Sequence, residues 1–303
     1  MTKVFIDGSS GTTGLRIEQR LGERKDVELI KISEEYRKDE SARRDALNES
    51  DISFLCLPDE AARQSASLIE NPNTAVIDTS TAHRTDPGWV YGFPEINGLR
   101  DSIASGKRIA NPGCHASGFI ALVAPLVQAG VIRKREALSC TSLTGYSGGG
   151  KKMIAEYESD GRSTLLDAPR MYGLSQAHKH LPEMVAVCGI SGAPAFCPIV
   201  APFYSGMEVI VPMLGKSKAL IEEIYAGYYQ KGLVRFVKDD AEAGFMSAAA
   251  MSGRDDMVIT VHGNDERLVL VSRFDNLGKG ASGAALQNMN LVLGLNESYG
   301  LVI

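Results

Sequence analysis

Residues 3–14 read KVFIDGSSGTTG, and this stretch decides the predicted fold. A short apolar strand comes first, three glycines follow, and the segment LRIEQRLGER (15–24) then places Leu15, Ile17 and Leu21 on one helical face. Glycine lets the backbone approach a pyrophosphate closely, and the start of the next helix offers free N–H groups and a partial positive charge. The order strand, glycine turn, helix therefore predicts a dinucleotide-binding βα unit with contacts from Gly8, Ser10, Gly11, Thr12, Thr13 and Gly14.

The glycine spacing is G-x-x-G-x-x-G rather than G-x-G-x-x-G, so an ordinary βα turn is the alternative interpretation. The end of the second strand, VELIKIS (27–33), bears on the type of dinucleotide. NAD sites usually carry Asp or Glu there, whereas a small residue with basic residues nearby suits a 2′-phosphate. Ser33, followed by Arg37 and Lys38, favours NADP(H), with Ser33 and Arg37 as contacts. The alternative is that these charges are simply solvated.

The remaining patterns predict two domains. In the first half, apolar strands such as ISFLCLP (52–58) and TAVIDTS (74–80) flank the helix candidate DEAARQSASLIE (59–70), which is typical of a doubly wound parallel sheet. Later strand candidates are longer (137–147, 195–214 and 266–276), with one strong helix at 217–232, and they predict an α+β domain with a mainly antiparallel sheet. The fold class is therefore α/β, with a Rossmann-type NADP-binding domain at 1–114 and 281–303 and a catalytic domain at 115–280.

Composition and charge exclude several classes of protein. The chain has 32 basic and 37 acidic residues, a net charge of −5, which argues against a nonspecific nucleic-acid binder. No apolar run reaches the roughly 20 residues of a membrane span, and the N-terminus lacks the pattern of a signal peptide. Five scattered cysteines without a C-x-x-C pair predict no disulfide framework and no metal site. We expect a cytoplasmic homo-oligomer, dimer or tetramer, that binds small molecules and neither nucleic acid nor membrane.

Cys114, in the segment RIANPGCHASGFIALVAPLV (108–127), is the candidate nucleophile. A bare cysteine is more often a buried structural residue. Here a turn signal precedes it and an apolar helix follows, so the helix macrodipole stabilises a thiolate at this position. Cys114 also falls where the predicted nucleotide-binding half ends, near the expected cleft between domains. Cys56, Cys140, Cys188 and Cys197 lack this context and are expected to be core residues.

A thiol nucleophile needs a nearby imidazole, and AHKHLPEM (177–184) supplies two. In an extended segment, His178 and His180 would project to the same face, as an acid/base or ion-pair arrangement. The alternative is a pair of exposed loop histidines. A zinc site is also conceivable from H-x-H, but no further ligands have the right spacing. His115 is expected to point away from the cysteine.

Together these motifs resemble the N-acetyl-γ-glutamyl-phosphate reductase family in its shorter form. The resemblance runs over nearly the whole chain, in seven strings that stand in the right order: GSSGTTG (8–14), VIDTSTAHR (76–84), VYGFPEING (90–98), NPGC (111–114), GYSGGGK (145–151), HKHLPEM (178–184) and DNLGKGASGAALQNMN (275–290). Two departures are HASG (115–118), where the family often has an aromatic residue, and GGG (148–150), where Gly-Ala-Gly is more usual. They concern substrate detail rather than reaction class.

The resemblance implies an NADPH-dependent reductive dephosphorylation of N-acetyl-γ-glutamyl phosphate in arginine biosynthesis, through a thioester on Cys114. His180 by preference, and His178 as second choice, would hold the thiolate and move a proton. Backbone N–H groups of Cys114 and His115 would form an oxyanion hole. Further cofactor contacts are expected from Ser80, Ser147, Gly148, Asn276 and Gly280. The substrate carries a carboxylate and a phosphate, and its expected contacts are Arg84, Asn111, Lys151 and Lys179.

Other functions remain open from the sequence alone. Aspartate-semialdehyde dehydrogenase shares the two-domain plan, but its cysteine typically follows Asn, whereas Gly113 stands here. An aminoadipyl-phosphate or carrier-linked substrate would use the same chemistry. An NADP-binding sensor would keep the glycine turn without turnover. A short-chain reductase needs a Y-x-x-x-K pair, which Tyr146, Tyr157 and Tyr172 do not provide.

Overall fold

The computed structural model describes all 303 residues, which form two compact units. Unit 1 comprises residues 1–112 and 281–301, and unit 2 comprises residues 113–280 and 302–303. Residues 113–114 lie in unit 2 rather than unit 1, because the helix that begins at Cys114 packs on strands of unit 2. The last two residues also belong to unit 2, where Val302 pairs with Asp255. None of the helices has both the length and the apolar character needed to cross a membrane.

Unit 1 is built on a six-stranded sheet in which all neighbouring strands run parallel. The spatial order is β2-β1-β3-β4-β6-β5, so the winding reverses beside β1. Ligands of such sheets bind beyond the carboxyl ends of the strands at this reversal. The strands are β1 (Thr2–Asp7), β2 (Val27–Ile30), β3 (Ile52–Leu55), β4 (Ala75–Asp78), β5 (Val90–Tyr91) and β6 (Arg108–Ala110).

Apolar side chains cover both faces of this sheet. Val4 and Ile6 of β1 enter one core, and Phe5 enters the other, because successive side chains of a strand point to opposite faces. Both faces are therefore buried, as the predicted doubly wound arrangement requires. The helices that the chain forms between these strands are α1 (Thr12–Gly22), α2 (Glu40–Glu49), α3 (Asp59–Ser67) and α4 (Leu99–Ser105).

Unit 2 contains a seven-stranded mixed sheet with the order β11-β12-β13-β10-β7-β9-β8. Four neighbouring pairs are antiparallel, and two pairs, β7 with β9 and β11 with β12, are parallel. The prediction of a mainly antiparallel second sheet is confirmed. The strands are β7 (Ser139–Gly145), β8 (Arg170–Met171), β9 (Ala195–Ala201), β10 (Met207–Leu214), β11 (Val234–Phe236), β12 (Met257–Asn264) and β13 (Arg267–Phe274).

The helices of unit 2 centre on α5, which is buried along almost its whole length. Pro125 lies inside α5 and has no N–H for the carbonyl of Ala121, four residues earlier. The hydroxyl of Tyr229 donates to that carbonyl at 2.6 Å, so the lost hydrogen bond is replaced from another helix. The helices are α5 (Cys114–Gln128), α6 (Gly150–Glu158), α7 (Leu181–Cys188) and α8 (Lys218–Tyr228), with 3₁₀ turns at Tyr146–Gly149 and Thr164–Asp167 and a π-helical turn at Gly278–Ser282.

The chain returns to unit 1 as helix α9 (Gly283–Val292). Leu286 and Met289 enter the same core as Val4, while Gln287 donates to Glu95 Oε1 at 2.8 Å. Asn288 donates to the carbonyl of Gly92 at 2.9 Å, and a Cβ on Gly92 would lie 2.4 Å from its Nδ2. The segment 90–98 thus acts within unit 1 as the anchor of α9.

Candidate active site

The glycine turn of unit 1 follows β1, at the reversal of the sheet. Two of its glycines stand where a larger side chain would collide with the backbone. Gly8 has φ +89°, and a Cβ there would lie 2.4 Å from the carbonyl oxygen of Cys56 on the neighbouring chain segment. A Cβ on Gly14 would lie 2.6 Å from the oxygen of Gly8. Gly11 is the N-cap of α1, without a side-chain cap. The turn therefore leaves the first N–H groups of α1 available to an anion.

One polar atom of this turn supports a phosphate site. Thr12 Oγ1 is buried and has no hydrogen-bond partner in the protein. A buried hydroxyl without a partner is costly, and a bound phosphate oxygen would satisfy it. The residues of the turn therefore fit the pyrophosphate of a dinucleotide.

A cavity of about 410 Å³ lies beside the turn within unit 1. Lys31, Arg37, Lys38 and Arg43 line it, together with Ser9 and Ser10. Arg43 is held by Asp7 at 2.9 Å, whereas Arg37 forms only an exposed pair with Glu34. Lys31 also forms an exposed pair, with Glu18 at 3.2 Å, and exposed basic groups at this place suit a 2′-phosphate. The predicted contact Ser33 is exposed and lies outside the lining, and Lys31, at the end of β2, was missed.

Cys114 is the first residue of α5, and it is half-buried. Gly113, the N-cap, has no side chain to cap the helix, and its N–H donates to the buried carboxylate of Glu183 at 3.1 Å. The thiol thus lies at the positive end of a long helix whose orphan N–H groups are not consumed by a side-chain cap. Glu183 holds the turn before the nucleophile, and no local signal in the sequence indicates this role.

The other cysteines differ from Cys114 in their surroundings. Burial raises the pKa of the Cys56 thiol to about 12, and burial also raises the pKa of Cys140 and of Cys188. A thiol with such a pKa is inert at neutral pH, because the thiolate is the nucleophile. Cys197 is half-buried within strand β9 and begins no helix.

Three histidine rings lie together in unit 2, and we call His115, His178 and His180 the histidine cluster. The ring centroids of His178 and His180 are 4.7 Å apart, and each lies 5.5–5.6 Å from His115. The predicted extended segment is wrong: His180 has αR backbone angles as the N-cap of α7, and its N–H donates to His178 Nδ1 at 3.1 Å. A turn, rather than a strand, brings the two imidazoles to the same place.

His115 has a place in this cluster that its sequence position did not indicate. Its ring is buried, and its two nitrogens contact Ser142 Oγ at 2.7 Å and Tyr172 OH at 2.6 Å. Burial, reinforced by the positive charges of His178 and Lys179, lowers the pKa of His115 to about 3. This imidazole is therefore neutral at working pH and does not serve as the cationic partner of a thiolate.

The predicted contacts Ser147, Gly148, Asn276 and Gly280 all lie in unit 2. Asn276 Nδ2 donates to Ser147 Oγ at 3.1 Å, and its Oδ1 accepts the N–H of Gly206 at 2.9 Å, so this amide ties the Ser-Gly loop to the turn before β10. A Cβ on Gly280 would lie 2.9 Å from Cys114 Cβ. Glycine at 280 therefore allows the returning segment to pass directly against the nucleophile.

The predicted substrate residues are divided between the two units. In unit 1, Arg84 donates to the carbonyls of Asn111 and Thr79 at 2.9 and 3.2 Å, and Asn111 donates to the carbonyl of Ala281 at 3.1 Å. Ser80 in the same unit donates to the buried carboxylate of Asp78 at 2.7 Å. These groups are engaged with their own unit.

In unit 2, Lys151 is exposed in the first turn of α6, and Lys179 is exposed within the histidine segment. Both ammonium groups lie on unit 2, the unit that carries Cys114.

A doubly wound sheet with a glycine turn, and a mixed-sheet unit with a helix-start cysteine beside histidines, define a dehydrogenase of the cysteine-dependent, dinucleotide-binding class. Family models agree: residues 3–105 match the semialdehyde dehydrogenase NAD binding domain, and residues 114–276 match the semialdehyde dehydrogenase dimerisation domain. The chain belongs to the semialdehyde dehydrogenase family, and within it to the N-acetyl-gamma-glutamyl-phosphate reductases.

Relatives and solved structures give that assignment its detail. N-acetyl-gamma-glutamyl-phosphate reductase 2 of Nostoc sp. is 43% identical, over 99% of both chains. The reductase of Chelativorans sp. is 45% identical, over 96% of this chain and 98% of the relative. Aspartate semialdehyde dehydrogenase II of Vibrio cholerae has the same fold, with a TM-score of 0.71 at 16% identity over 97% of this chain and 98% of that one. The Candida albicans aspartate semialdehyde dehydrogenase, solved with NADP, has a TM-score of 0.67 at 15% identity, over 97% and 98% of the two chains.

Proposed function

We propose that this protein reduces N-acetyl-γ-glutamyl phosphate to N-acetylglutamate semialdehyde with NADPH, releasing inorganic phosphate, as a step of arginine biosynthesis. The observation that carries the proposal is Cys114, placed at the uncapped start of α5 in the same unit as the histidine cluster. The 43–45% identity to named reductases over nearly the whole chain supports the choice of substrate. NADPH, when bound, supplies the hydride that reduces the acyl group.

The proposed first step is an attack of the Cys114 thiolate on the acyl-phosphate carbon. A C–S bond forms, the C–O bond to phosphate breaks, and a thioester remains on Cys114 while inorganic phosphate leaves. The N–H groups of Cys114 and His115, at the start of α5, stabilise the oxyanion of this step. Reduction of the thioester followed by cleavage of the C–S bond releases the aldehyde and returns the thiolate.

His180 is the proposed partner of the thiolate, with His178 as the second candidate. His180 is buried at the start of α7, and its N–H donates to the imidazole of His178, so the two rings are ordered relative to each other. A protonated imidazole stabilises the thiolate as an ion pair and exchanges a proton with the reacting oxygen. His115 is excluded from this role by its low pKa.

The geometry of each unit supports a set of binding groups for NADP(H) and substrate. In the proposal, Thr12 and the N–H groups of the glycine turn hold the pyrophosphate, and Lys31, Arg37 and Lys38 hold the 2′-phosphate. Lys151 and Lys179 take the carboxylate or phosphate of the substrate. The remaining predicted contacts stay part of the proposal. For the cofactor they are Gly8, Ser10, Gly11, Thr13, Gly14, Ser33, Ser80, Ser147, Gly148, Asn276 and Gly280, and for the substrate they are Arg84 and Asn111.

Residues 114–276 match a dimerisation domain, which supports a homo-oligomer. We infer a dimer or tetramer that works in the cytoplasm, where a reduced thiol such as Cys114 persists.

The test uses the reverse reaction, because the aldehyde is easier to supply than the acyl phosphate. N-acetylglutamate semialdehyde, phosphate and NADP⁺ are given to wild type, to Cys114→Ser and to Cys197→Ser, a matched control at a half-buried thiol in a strand. We expect NADPH formation by wild type and Cys197→Ser, and a loss of at least about 10³-fold in Cys114→Ser.

Three results would contradict the proposal in different ways. Turnover that survives in Cys114→Ser removes the thioester route. Turnover of aspartate semialdehyde in place of the acetylated aldehyde moves the substrate to the sister enzyme. NADP⁺ binding without turnover of either aldehyde makes the protein a sensor.

A further inference from the structure

A chain of three side chains, two buried and one half-buried, links strand β7 to the neighbourhood of Cys114 through His115. Ser142 Oγ lies 2.7 Å from His115 Nδ1, and His115 Nε2 lies 2.6 Å from Tyr172 OH. Ser142 is fully buried, and the His115 ring packs edge-on against Phe196 at 5.5 Å. All of these residues belong to unit 2. The chain stands beside the proposed nucleophile, and the mechanism above does not use it.

The direction of the first hydrogen bond follows from the partners of Ser142. His115 Nδ1 is the one hydrogen-bond partner of its hydroxyl. If Ser142 accepted a hydrogen from Nδ1, its own hydrogen would be buried without an acceptor, which costs the desolvation of that group. Ser142 therefore donates to Nδ1. Because His115 is neutral, its single ring hydrogen is then on Nε2.

The second hydrogen bond takes its direction from the first. With its hydrogen on Nε2, His115 donates to the oxygen of Tyr172, so the phenolic hydrogen of Tyr172 is directed elsewhere. No other protein group accepts a hydrogen bond from that hydroxyl. Burial, and then the negative charge of Cys114, raise the pKa of Tyr172, so the phenol keeps its proton and lies within electrostatic reach of the sulfur. A neutral donor that keeps its proton suits a site where a negative oxygen develops.

We propose that His115 is a positioning residue that aims the hydroxyl of Tyr172 at the reacting centre, where Tyr172 donates a hydrogen bond to the oxygen that becomes negative when Cys114 attacks. Ser142 fixes the tautomer of His115. His115 then donates to the oxygen of Tyr172, which leaves the phenolic hydrogen of Tyr172 to contact the substrate. No proton is transferred along the chain. The inference rests on the proposed acyl-phosphate reduction for its chemistry, whereas the direction of the chain is a property of the protein alone.

The opposite tautomer makes the rival arrangement. With the hydrogen on Nδ1, Tyr172 would donate to His115, and it would have no hydrogen left for a substrate. In that case the three side chains form a structural brace. The two arrangements differ in which ring nitrogen is protonated.

The first measurement is ¹⁵N NMR of histidine-labelled protein without substrate, with His115 assigned by the signals that disappear in His115→Phe. We expect a pyrrole-type Nε2 and a pyridine-type Nδ1 in wild type, and redistribution toward the other tautomer in Ser142→Ala. A pyrrole-type Nδ1 in wild type overturns the proposal. This result does not depend on turnover, so it stands even if the proposed reaction is wrong.

The second measurement is steady-state kinetics of the phosphate-dependent reverse assay. Tyr172→Phe is expected to lower kcat about 100-fold with little change in KM, as for a lost oxyanion donor. His115→Phe should lower kcat nearly as much, and the double variant no further, because one residue acts through the other. Ser142→Ala should lower kcat about tenfold, and only when Tyr172 is present.

Phe196→Leu is the matched control, since Phe196 contacts the His115 ring without a hydrogen bond. It should keep kcat within about threefold of wild type. Additive losses in the double variant, or an equal loss in Phe196→Leu, would make the chain a packing element and overturn the proposal. Wild type that fails to turn over either aldehyde would count against the proposed function and leave the tautomer result as the test of the chain.

Discussion

The glycine turn of unit 1 and the histidine cluster of unit 2 are built in opposite ways. The turn uses seven consecutive residues, and it presents backbone N–H groups. The cluster and its partners come from positions 114–115, 142, 172, 178–180 and 196, and they present side chains. The turn requires the absence of side chains at two positions, because a Cβ on Gly8 or Gly14 has no room. The histidine cluster depends on its side-chain rings and on the hydrogen bonds that they form. Added atoms should therefore damage the turn, and removed atoms should damage the cluster.

The largest expected effect comes from Gly14→Ala. Its Cβ would lie 2.6 Å from the oxygen of Gly8 and 2.8 Å from Cα of Ser9, so the backbone of the turn must shift. We expect NADP(H) affinity to fall at least about 100-fold, and the free energy of unfolding to fall by about 1–3 kcal/mol. Fluorescence titration and urea unfolding measure the two. Gly22→Ala, in the same helix with open space around it, should leave NADP(H) affinity unchanged and should not lower the free energy of unfolding; an equal loss in both variants would contradict the steric explanation.

Gly280→Ala carries the same kind of change into unit 2, where it tests whether the nucleophile is also sensitive to added atoms. Its Cβ would lie 2.9 Å from Cys114 Cβ and 3.1 Å from the oxygen of Asp275. A displacement near 1 Å of a reacting group costs about 100-fold, so we expect that loss in kcat. Gly192→Ala has open space and is the control. Normal turnover in Gly280→Ala would show that the cysteine tolerates this movement.

The stability of the histidine cluster is expected to depend on pH through His115. The imidazole has a pKa of about 3 in the folded protein, against an ordinary value of 6.5. Between these values the unfolded chain binds more protons, so stability is lost as pH falls from about 6.5 toward 3, by at most about 1.4 kcal/mol per pH unit. Urea unfolding at several pH values in this range gives the free energy of unfolding as a function of pH. This free energy should change less steeply with pH in His115→Phe than in wild type, while His262→Gln should keep the wild-type pH dependence. The same pH dependence of the free energy of unfolding in all three proteins would mean that His115 is protonated in the folded protein.

Arg37→Ala removes a guanidinium group beside the glycine turn, whereas the variant Gly14→Ala adds a methyl group to that turn. Arg37 lines the cavity beside the turn and has only an exposed pair with Glu34. Loss of a charge-assisted contact to a 2′-phosphate should raise KM for NADP⁺ about tenfold, with KM for NAD⁺ unchanged. Arg63→Ala, exposed on α3, is the control. Parallel changes for both dinucleotides would mean that Arg37 does not read the 2′-phosphate.

Tyr229→Phe has the smallest expected effect and concerns the helix that carries Cys114. Its hydroxyl serves the carbonyl of Ala121 that Pro125 leaves without a donor. Removing it should lower the free energy of unfolding by about 1–2 kcal/mol, because a buried carbonyl loses its partner, with kcat unchanged. Thermal unfolding and the reverse assay measure both. A fall in kcat without a fall in stability would place Tyr229 in the catalytic machinery.

The sequence predicts the turn better than the cluster for a physical reason. The glycine spacing, the flanking strand and the helix are all local, and steric rules act on neighbours in the chain. Cys114 was found in the same way, because a turn signal precedes an apolar helix. The alternation of strands and helices predicted the parallel sheet of unit 1, and long strand candidates with one strong helix among them predicted the mainly antiparallel sheet of unit 2. The parallel pairing of β7 with β9 had no local signal, since it depends on a crossover between distant segments.

The cluster could be predicted only in part. The pair of histidines was identified, but the supposed extended segment is a turn before α7. His115 and Tyr172 are separated by 57 positions, and nothing in either segment indicates their hydrogen bond. Glu183 was quoted in a motif without a role, although it holds the N–H of Gly113. Arg84 and Asn111 were expected at the substrate, and their observed hydrogen bonds go to backbone carbonyls, which a sequence does not display.

The return of α9 to unit 1 also sets an order of events during synthesis. Ala285, Leu286 and Met289 belong to the same core as Val4 and Ile77, so the first unit to leave the ribosome lacks part of its interior. Residues 113–280 emerge as one uninterrupted segment that already contains both the seven-stranded sheet and α5. Domains usually fold from the N-terminus onward as they are made. In this chain all six strands of unit 1 are made first, but one apolar face of their sheet stays incompletely covered for about 170 residues of translation, until α9 is made.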